Sequence, residues 1–167
     1  MTTATVDGVR NLYIDLLVKC IANTIYGDPN MGFWAPKIYD PNLRQNGGDC
    51  PSVAHSMIGV KRLENLRECV ETSLREEVPG DFIETGVWRG GACILMRGIL
   101  RAHDVSDRLV YAADSFEGLP PPNAVAYPAD AGDTHHTRQD LVVSLGSVRD
   151  AFRAYGLLDG QVRFLKG

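Results

Sequence analysis

The stretch Glu84-Thr85-Gly86-Val87-Trp88-Arg89-Gly90-Gly91 constrains this chain more than any other. It follows a short apolar run, Asp81 to Thr85, and precedes a helical pattern from Ala92 to Ala102. That order predicts a strand, a glycine turn and a helix in succession. Gly86 removes a side chain at the strand's carboxyl end, so a ligand can approach the backbone there. Gly90 and Gly91 ease the entry into the helix, whose first N–H groups have no partner within it and face the pocket. Glu84 sets a carboxylate at the strand tip, where it can meet a cationic group. Ligands of open α/β sheets bind at such carboxyl ends.

A second acid fits the same picture. Arg108 to Ala113 is a compact buried-strand candidate that ends in Asp114-Ser115, with Asp114 30 positions after Glu84. An acid at that place can accept hydrogen bonds from both ribose hydroxyls of a nucleoside. A glycine turn taken alone often serves backbone geometry only; the strand context and the second acid favour a ligand. The dinucleotide fingerprint G-x-G-x-x-G is not met by Gly86, Gly90 and Gly91, which argues against a nicotinamide-dependent reductase.

Helical spacing predicts a first helix over Val9 to Tyr26, with Val9, Leu12, Tyr13, Leu16, Leu17, Cys20, Ile21 and Ile25 apolar and Gly27 as its stop. Residues 27 to 48 carry three prolines and Asn46-Gly47-Gly48, and read as a loop or mobile lid. Cys50-Pro51-Ser52 predicts the start of another helix, with Pro51 at its first position. Ile58, Leu63, Leu66, Val70 and Leu74 share a helix face, with Arg67 and Glu71 paired on the other. Beyond Asp114 a long loop begins with Leu119-Pro120-Pro121-Pro122. Ser147 and Asp150 have capping-box spacing and predict a helix with Val148, Phe152 and Tyr155 inward, ended by Gly156. Gln161 to Leu165 is a third strand candidate. Strands alternating with helices predict a parallel α/β sheet.

A net charge of -4 and a pI of about 5.5 give no basic footprint for nucleic acid. No apolar run approaches the roughly 20 residues that cross a bilayer, and Met1 to Val9 lack the pattern of a secretory signal. Cys20, Cys50, Cys69 and Cys93 are scattered without zinc-like spacing, and read as packing residues of a cytoplasmic protein. Asp130, Asp133, His135 and His136 sit in a polar loop with nothing to fix metal geometry; they read as solvated or sugar-contacting. His55 reads as a packed or capping histidine in preference to a base. Trp88 is equally suited to shielding a cofactor and to simple packing, and Phe33, Trp34 and Tyr39 to stacking on a sugar and to anchoring the loop. Arg89 and Lys61-Arg62 read as solvated charges.

Four motifs together are similar to one family. They are Glu-Thr-Gly-Val-Trp-Arg-Gly-Gly-Ala (84 to 92), Ala-Asp-Ser-Phe-Glu-Gly-Leu-Pro (113 to 120), Tyr-Gly-Leu-Leu-Asp-Gly-Gln-Val-Arg-Phe-Leu (155 to 165) and Val-Ala-His-Ser-Met-Ile-Gly-Val-Lys-Arg-Leu (53 to 63). In their order along the chain they resemble the macrocin O-methyltransferases, which methylate deoxysugar hydroxyls on macrolide and aminocoumarin antibiotics. The resemblance implies a Rossmann-like class I methyltransferase fold, with residues 1–80 a helical segment bearing the lid loop. Residues 81–167 would then be the first half of the S-adenosylmethionine-binding domain. It implies S-adenosylmethionine held by Glu84, Thr85, Gly86, Val87, Trp88, Gly90 and Gly91, with Asp114 and Ser115 at the ribose. Met57 and Ile58 would cover the cofactor, and Ser144 with Leu145 would approach the adenine. The acceptor, a small glycosylated molecule, would lie against loops 28–50 and 123–140.

The family's magnesium ligands are aspartates on later strands, so the resemblance places the metal and the base beyond Gly167 and gives this chain no metal ligand and no assigned catalytic residue. Three strands alone would leave one side of the central strand bare. The expectation is therefore a piece of a longer protein, or a chain completed by a partner, in a homo-oligomer. A noncatalytic cofactor-binding module remains the alternative from another class.

Overall fold

In the computed structural model, residues 3–33 and 35–167 are described, so Trp34 lies outside them. Helix α1 spans Thr3–Ile21, a short α2 Pro41–Asn46 and α3 Val60–Arg75. Then β1 (Phe82–Thr85), α4 (Gly91–Ala102), β2 (Val110–Asp114), α5 (Leu145–Ala154) and β3 (Val162–Lys166) alternate as predicted. The sheet is parallel throughout in the order β1-β2-β3, with Glu84 beside Ala112 and Asp114 beside Lys166. This is a Rossmann-like α/β arrangement. Its topology sends every strand's carboxyl end to one side, which is where a ligand site belongs.

Helix α4 is the centre of the core. Cys93, Ile94, Leu95, Ile99 and Leu100 are fully buried, with α1 and α3 packed against α4, Val110 and Ala112 of β2, and Val148 and Phe152 of α5. The approach of α1 is so close that a Cβ on Gly98 would lie 2.2 Å from Leu17 Cδ2.

Four expectations change. The first helix ends at Ile21, not Tyr26, because Asn23 turns left-handed (φ 48°) and hydrogen-bonded turns carry the chain to Gly27. Its buried face is Ile14, Leu17, Val18 and Ile21, whereas Val9, Leu12 and Leu16 are exposed. The sequence holds two apolar stripes on this helix, and the one that fits over Gly98 of α4 is buried.

Residues 50–59 form no helix. The N–H groups a helix would use are bound elsewhere: Ser52 donates to Pro29 O, His55 to Ile21 O, and Val53 and Ala54 to the Asp28 carboxylate.

The segment 27–48, expected to be irregular, contains the short helix α2, and side-chain contacts tie it to the rest of the fold. Asp40 caps α2, and Arg44, 1% exposed, is enclosed by its partners. It bonds to Asp28 Oδ1 (2.8 Å), Asp49 Oδ2 (2.8 Å) and Ala22 O (2.7 Å). Finally, α5 is capped by Ser144 rather than Ser147: Ser144 Oγ accepts the Ser147 N–H at 3.1 Å.

Candidate functional site

The turn after β1 is held by the acid at the end of β2. Asp114 Oδ2 accepts the N–H of Val87 (2.6 Å) and of Trp88 (3.3 Å), while Oδ1 accepts that of Phe116 (2.9 Å). Trp88 and Phe116 both have left-handed backbones (φ 49° and 55°), a conformation that costs free energy for residues with side chains. One carboxylate thus braces both strained positions. Gly91 completes the turn by donating to His55 O at 2.9 Å, an approach that leaves no room for a side chain, since a Cβ would stand 2.5 Å from that oxygen.

Above this turn lies a cavity of about 750 Å³. Met57, Ile58, Glu84, Thr85, Gly86, Val87, Trp88, Gly91, Asp114 and Ser115 line it, together with His55, Ser56, Leu119, Pro120, Leu141, Leu165 and Lys166. Two residues expected at the site stand off its wall: Gly90 caps α4 beneath Val148, and Ser144 caps α5. The size suits a nucleoside-sized ligand, and the lining is apolar with a few polar groups, as small-molecule sites are.

Glu84 is the unusual group on this wall. Burial raises its pKa, hydrogen bonds from the Cys93 thiol and backbone N–H oppose the rise, and the Asp114 charge adds to it. Cys93 Sγ donates to Glu84 Oε2 at 3.0 Å, and burial, with Glu84 beside it, pushes that thiol up so that it keeps its proton. Among the described residues no Lys, Arg or His pairs with Glu84. A half-buried carboxylate facing a cavity without such a partner either holds a proton or is met by a cation from outside. Cys93 reads as a packing residue in the sequence, where no pattern marks its contact; only the fold brings it under the strand tip.

The two loops expected to face an acceptor meet at Asp140. Its backbone oxygen accepts Trp88 Nε1–H at 2.8 Å, and its carboxylate pairs with Arg138 at 2.5 Å, which holds the carboxyl below the usual range. Cys50 lies 3.7 Å from the same carboxylate, and burial together with Asp140 pushes its thiol up to about 11. Behind this contact a second cavity of about 590 Å³ is bordered by His55, Arg89, Asp140 and Ser147. His55 Nδ1 stands 3.0 Å from Tyr155 OH, and burial, then Arg89, lowers its pKa. Phe33 has the Arg138 guanidinium over its ring at 4.1 Å. His135 and Asp133 pair with each other on the surface at 2.5 Å. Among the described residues no group of three or more His, Cys, Asp or Glu could hold a metal ion, and no helix is long and apolar enough to cross a membrane.

Comparison with known proteins adds the remaining findings. The family model for macrocin-O-methyltransferase (TylF) matches residues 30–167. The chain is 53% identical over 162 residues to the demethyldecarbamoylnovobiocin O-methyltransferase of Streptomyces niveus, which covers 94% of this chain and 62% of that protein. It is 51% identical over 161 residues to the mycinamicin III 3''-O-methyltransferase of Micromonospora griseorubida, covering 93% and 63%. A third relative, 50% identical over 163 residues, is the 8-demethyl-8-(2,3-dimethoxy-alpha-L-rhamnosyl)-tetracenomycin-C 4'-O-methyltransferase of Streptomyces olivaceus, covering 96% and 62%. The solved structure of the O-methyltransferase NovP matches with a TM-score of 0.88 at 51% identity, over 95% of this chain and 64% of that one. The chain thus spans a little over three-fifths of the length of these relatives.

Proposed function

This chain belongs to the macrocin-O-methyltransferase (TylF) family, and from that premise we propose that its protein methylates a deoxysugar hydroxyl on a glycosylated natural product, with S-adenosylmethionine as donor. The observation that carries the reading is Glu84: a half-buried carboxylate without a basic partner among the described residues, on the wall of a nucleoside-sized cavity. The α-ammonium of the donor is the cation that such a group lacks.

Glu84, Thr85 and Gly86 would hold the amino-acid end, with Val87, Trp88, Gly90 and Gly91 forming the turn around it. Asp114 would meet the ribose with the acceptor capacity left beside the N–H groups of Val87, Trp88 and Phe116, and Ser115, 3.4 Å from its Oδ1, stands beside it. Met57 and Ile58 would cover the ligand from the α3 side. Ser144, as the cap of α5, would act near the adenine by placing that helix. When bound, S-adenosylmethionine would supply its sulfonium methyl: a hydroxyl oxygen in line with the C–S bond would take that methyl and give up its proton to water, and S-adenosylhomocysteine would leave as the neutral thioether. The work left to these residues is alignment and exclusion of water.

We take residues 1–80 as the helical cover that carries the acceptor-facing loop, and 81–167 as the nucleoside-binding part. Magnesium belongs to the reading of the whole family protein, but the described residues make no ligand set for it, so no step here passes through a metal. A reducing cytoplasm and a homo-oligomer belong to the same reading. The four unpaired cysteines support the first, and the exposed apolar stripe Val9, Leu12 and Leu16 supports the second.

The test has two parts. Calorimetric titration should show binding of S-adenosylhomocysteine and none of NAD; tighter binding of NAD would overturn the assignment. Methyl transfer should then be assayed on demethyldecarbamoylnovobiocin, mycinamicin III and the demethylated tetracenomycin glycoside, with and without magnesium.

A further inference from the structure

We propose that Cys93 is a positioning residue: its thiol fixes the rotamer of Glu84 so that one carboxylate oxygen stays turned to the ligand ammonium. The inference rests on the nucleoside site proposed above and adds a residue to it. Cys93 is the third residue of α4, fully buried, with Sγ 3.0 Å from Glu84 Oε2 and 4.0 Å from Tyr111 O. The thiol comes from the first turn of a helix, where unpaired N–H groups and the helix dipole also favour an anion.

A glutamate has three rotatable bonds, and a free one would sample rotamers that point away from the ligand. A donor held on a rigid helix turn removes much of that freedom. It also favours the ionised form in a place where burial disfavours it. The charged and titratable groups that face Glu84 are few. Cys93 lies below it on α4 and Asp114 beside it on β2, while His55 and Lys166 lie further along the same cavity wall. Asp114 raises the cost of charging Glu84, so the thiol works against a like charge as well as against burial.

The experiment compares the wild type, Cys93→Ala and Cys93→Ser with two probes, S-adenosylhomocysteine and 5'-methylthioadenosine. The second probe keeps the nucleoside and lacks the amino-acid end. We expect Cys93→Ala to weaken S-adenosylhomocysteine about tenfold, as loss of a hydrogen bond to a charge does, with methylthioadenosine unchanged. Cys93→Ser should restore the affinity, since a hydroxyl donates in the same place. As pH falls, Cys93→Ala should lose S-adenosylhomocysteine at a higher pH than the wild type does. Equal affinities in wild type and Cys93→Ala would overturn the inference. Equal loss of both probes would also overturn it, since that would mark a packing defect. If the wild type binds neither probe, the nucleoside site itself falls.

Discussion

Asp114 accepts the backbone N–H of Val87 at 2.6 Å, so the acid of the second strand holds the turn that follows the first. The group expected to bind ribose is therefore already a structural clasp, and its removal should show in two measurements. Asp114→Ala should weaken S-adenosylhomocysteine by about tenfold or more. It should also lower unfolding stability by about 1–3 kcal/mol, because Val87, Trp88 and Phe116 lose their acceptor. Asp114→Asn keeps one acceptor oxygen and should fall between. A wild-type denaturation curve for Asp114→Ala would remove the clasp from the account.

Arg44 and its two aspartates give a second prediction. Removing the guanidinium leaves Asp28 and Asp49 buried without their counter-charge. Arg44→Met should therefore cost roughly 3–5 kcal/mol in denaturant unfolding. Burial pushes the Asp28 carboxyl up, but the N–H groups of Val53 and Ala54 and the Arg44 guanidinium outweigh it, and the net shift is downward. This stabilisation is therefore present above the ordinary carboxylate pKa of about 3.9 and is lost as pH falls through the lower native value. Asp28→Asn should be less stable near neutrality and show a flatter acid limb than the wild type. Parallel limbs would show that Asp28 does not titrate with unfolding.

The strands and the site turn were legible because buried parallel strands are short apolar runs, and because Glu84 and Asp114 stand at their ends in the chain itself. Three features were not legible, each for a stated reason. Arg44 lies in a polar, proline-bounded stretch that reads as solvated surface, and only the fold brings Asp28 and Asp49 around it. The helix expected at Pro51 depends on N–H groups that Asp28 captures from more than 20 residues away. The buried face of α1 is selected by a partner, since Leu12 and Leu17 are equally apolar and only Leu17 meets Gly98.

That last contact can be tested directly. A methyl on Gly98 would come within 2.2 Å of Leu17 Cδ2, inside a packed core where the leucine has little space to move. Gly98→Ala should cost about 1–3 kcal/mol through overpacking. Leu17→Ala should cost about 2–5 kcal/mol through the cavity it leaves. The double variant should be markedly less destabilised than the sum, because the new methyl occupies part of that cavity. Strict additivity would show that α1 does not dock on α4 at this point.

His55 supplies a pH dependence that can be separated from the other histidines. It is held neutral: burial first, and the Arg89 charge second, lower its pKa from the ordinary 6.5. The unfolded chain protonates this group at about 6.5, while the folded protein resists until a lower pH. Stability contributed by the neutral ring is therefore complete above about 6.5, and it declines as pH drops below that value until the native ring also takes a proton. His55→Gln keeps a polar group near Tyr155 OH and cannot titrate. Melting temperatures from about pH 8 down to about pH 5 should thus fall more steeply in the wild type than in the variant. The difference between the two curves isolates His55 from His103, His135 and His136, which both proteins retain. Superimposable slopes would mean that the ring is as accessible to protons in the fold as in the unfolded chain, contrary to its place between Tyr155 and Arg89.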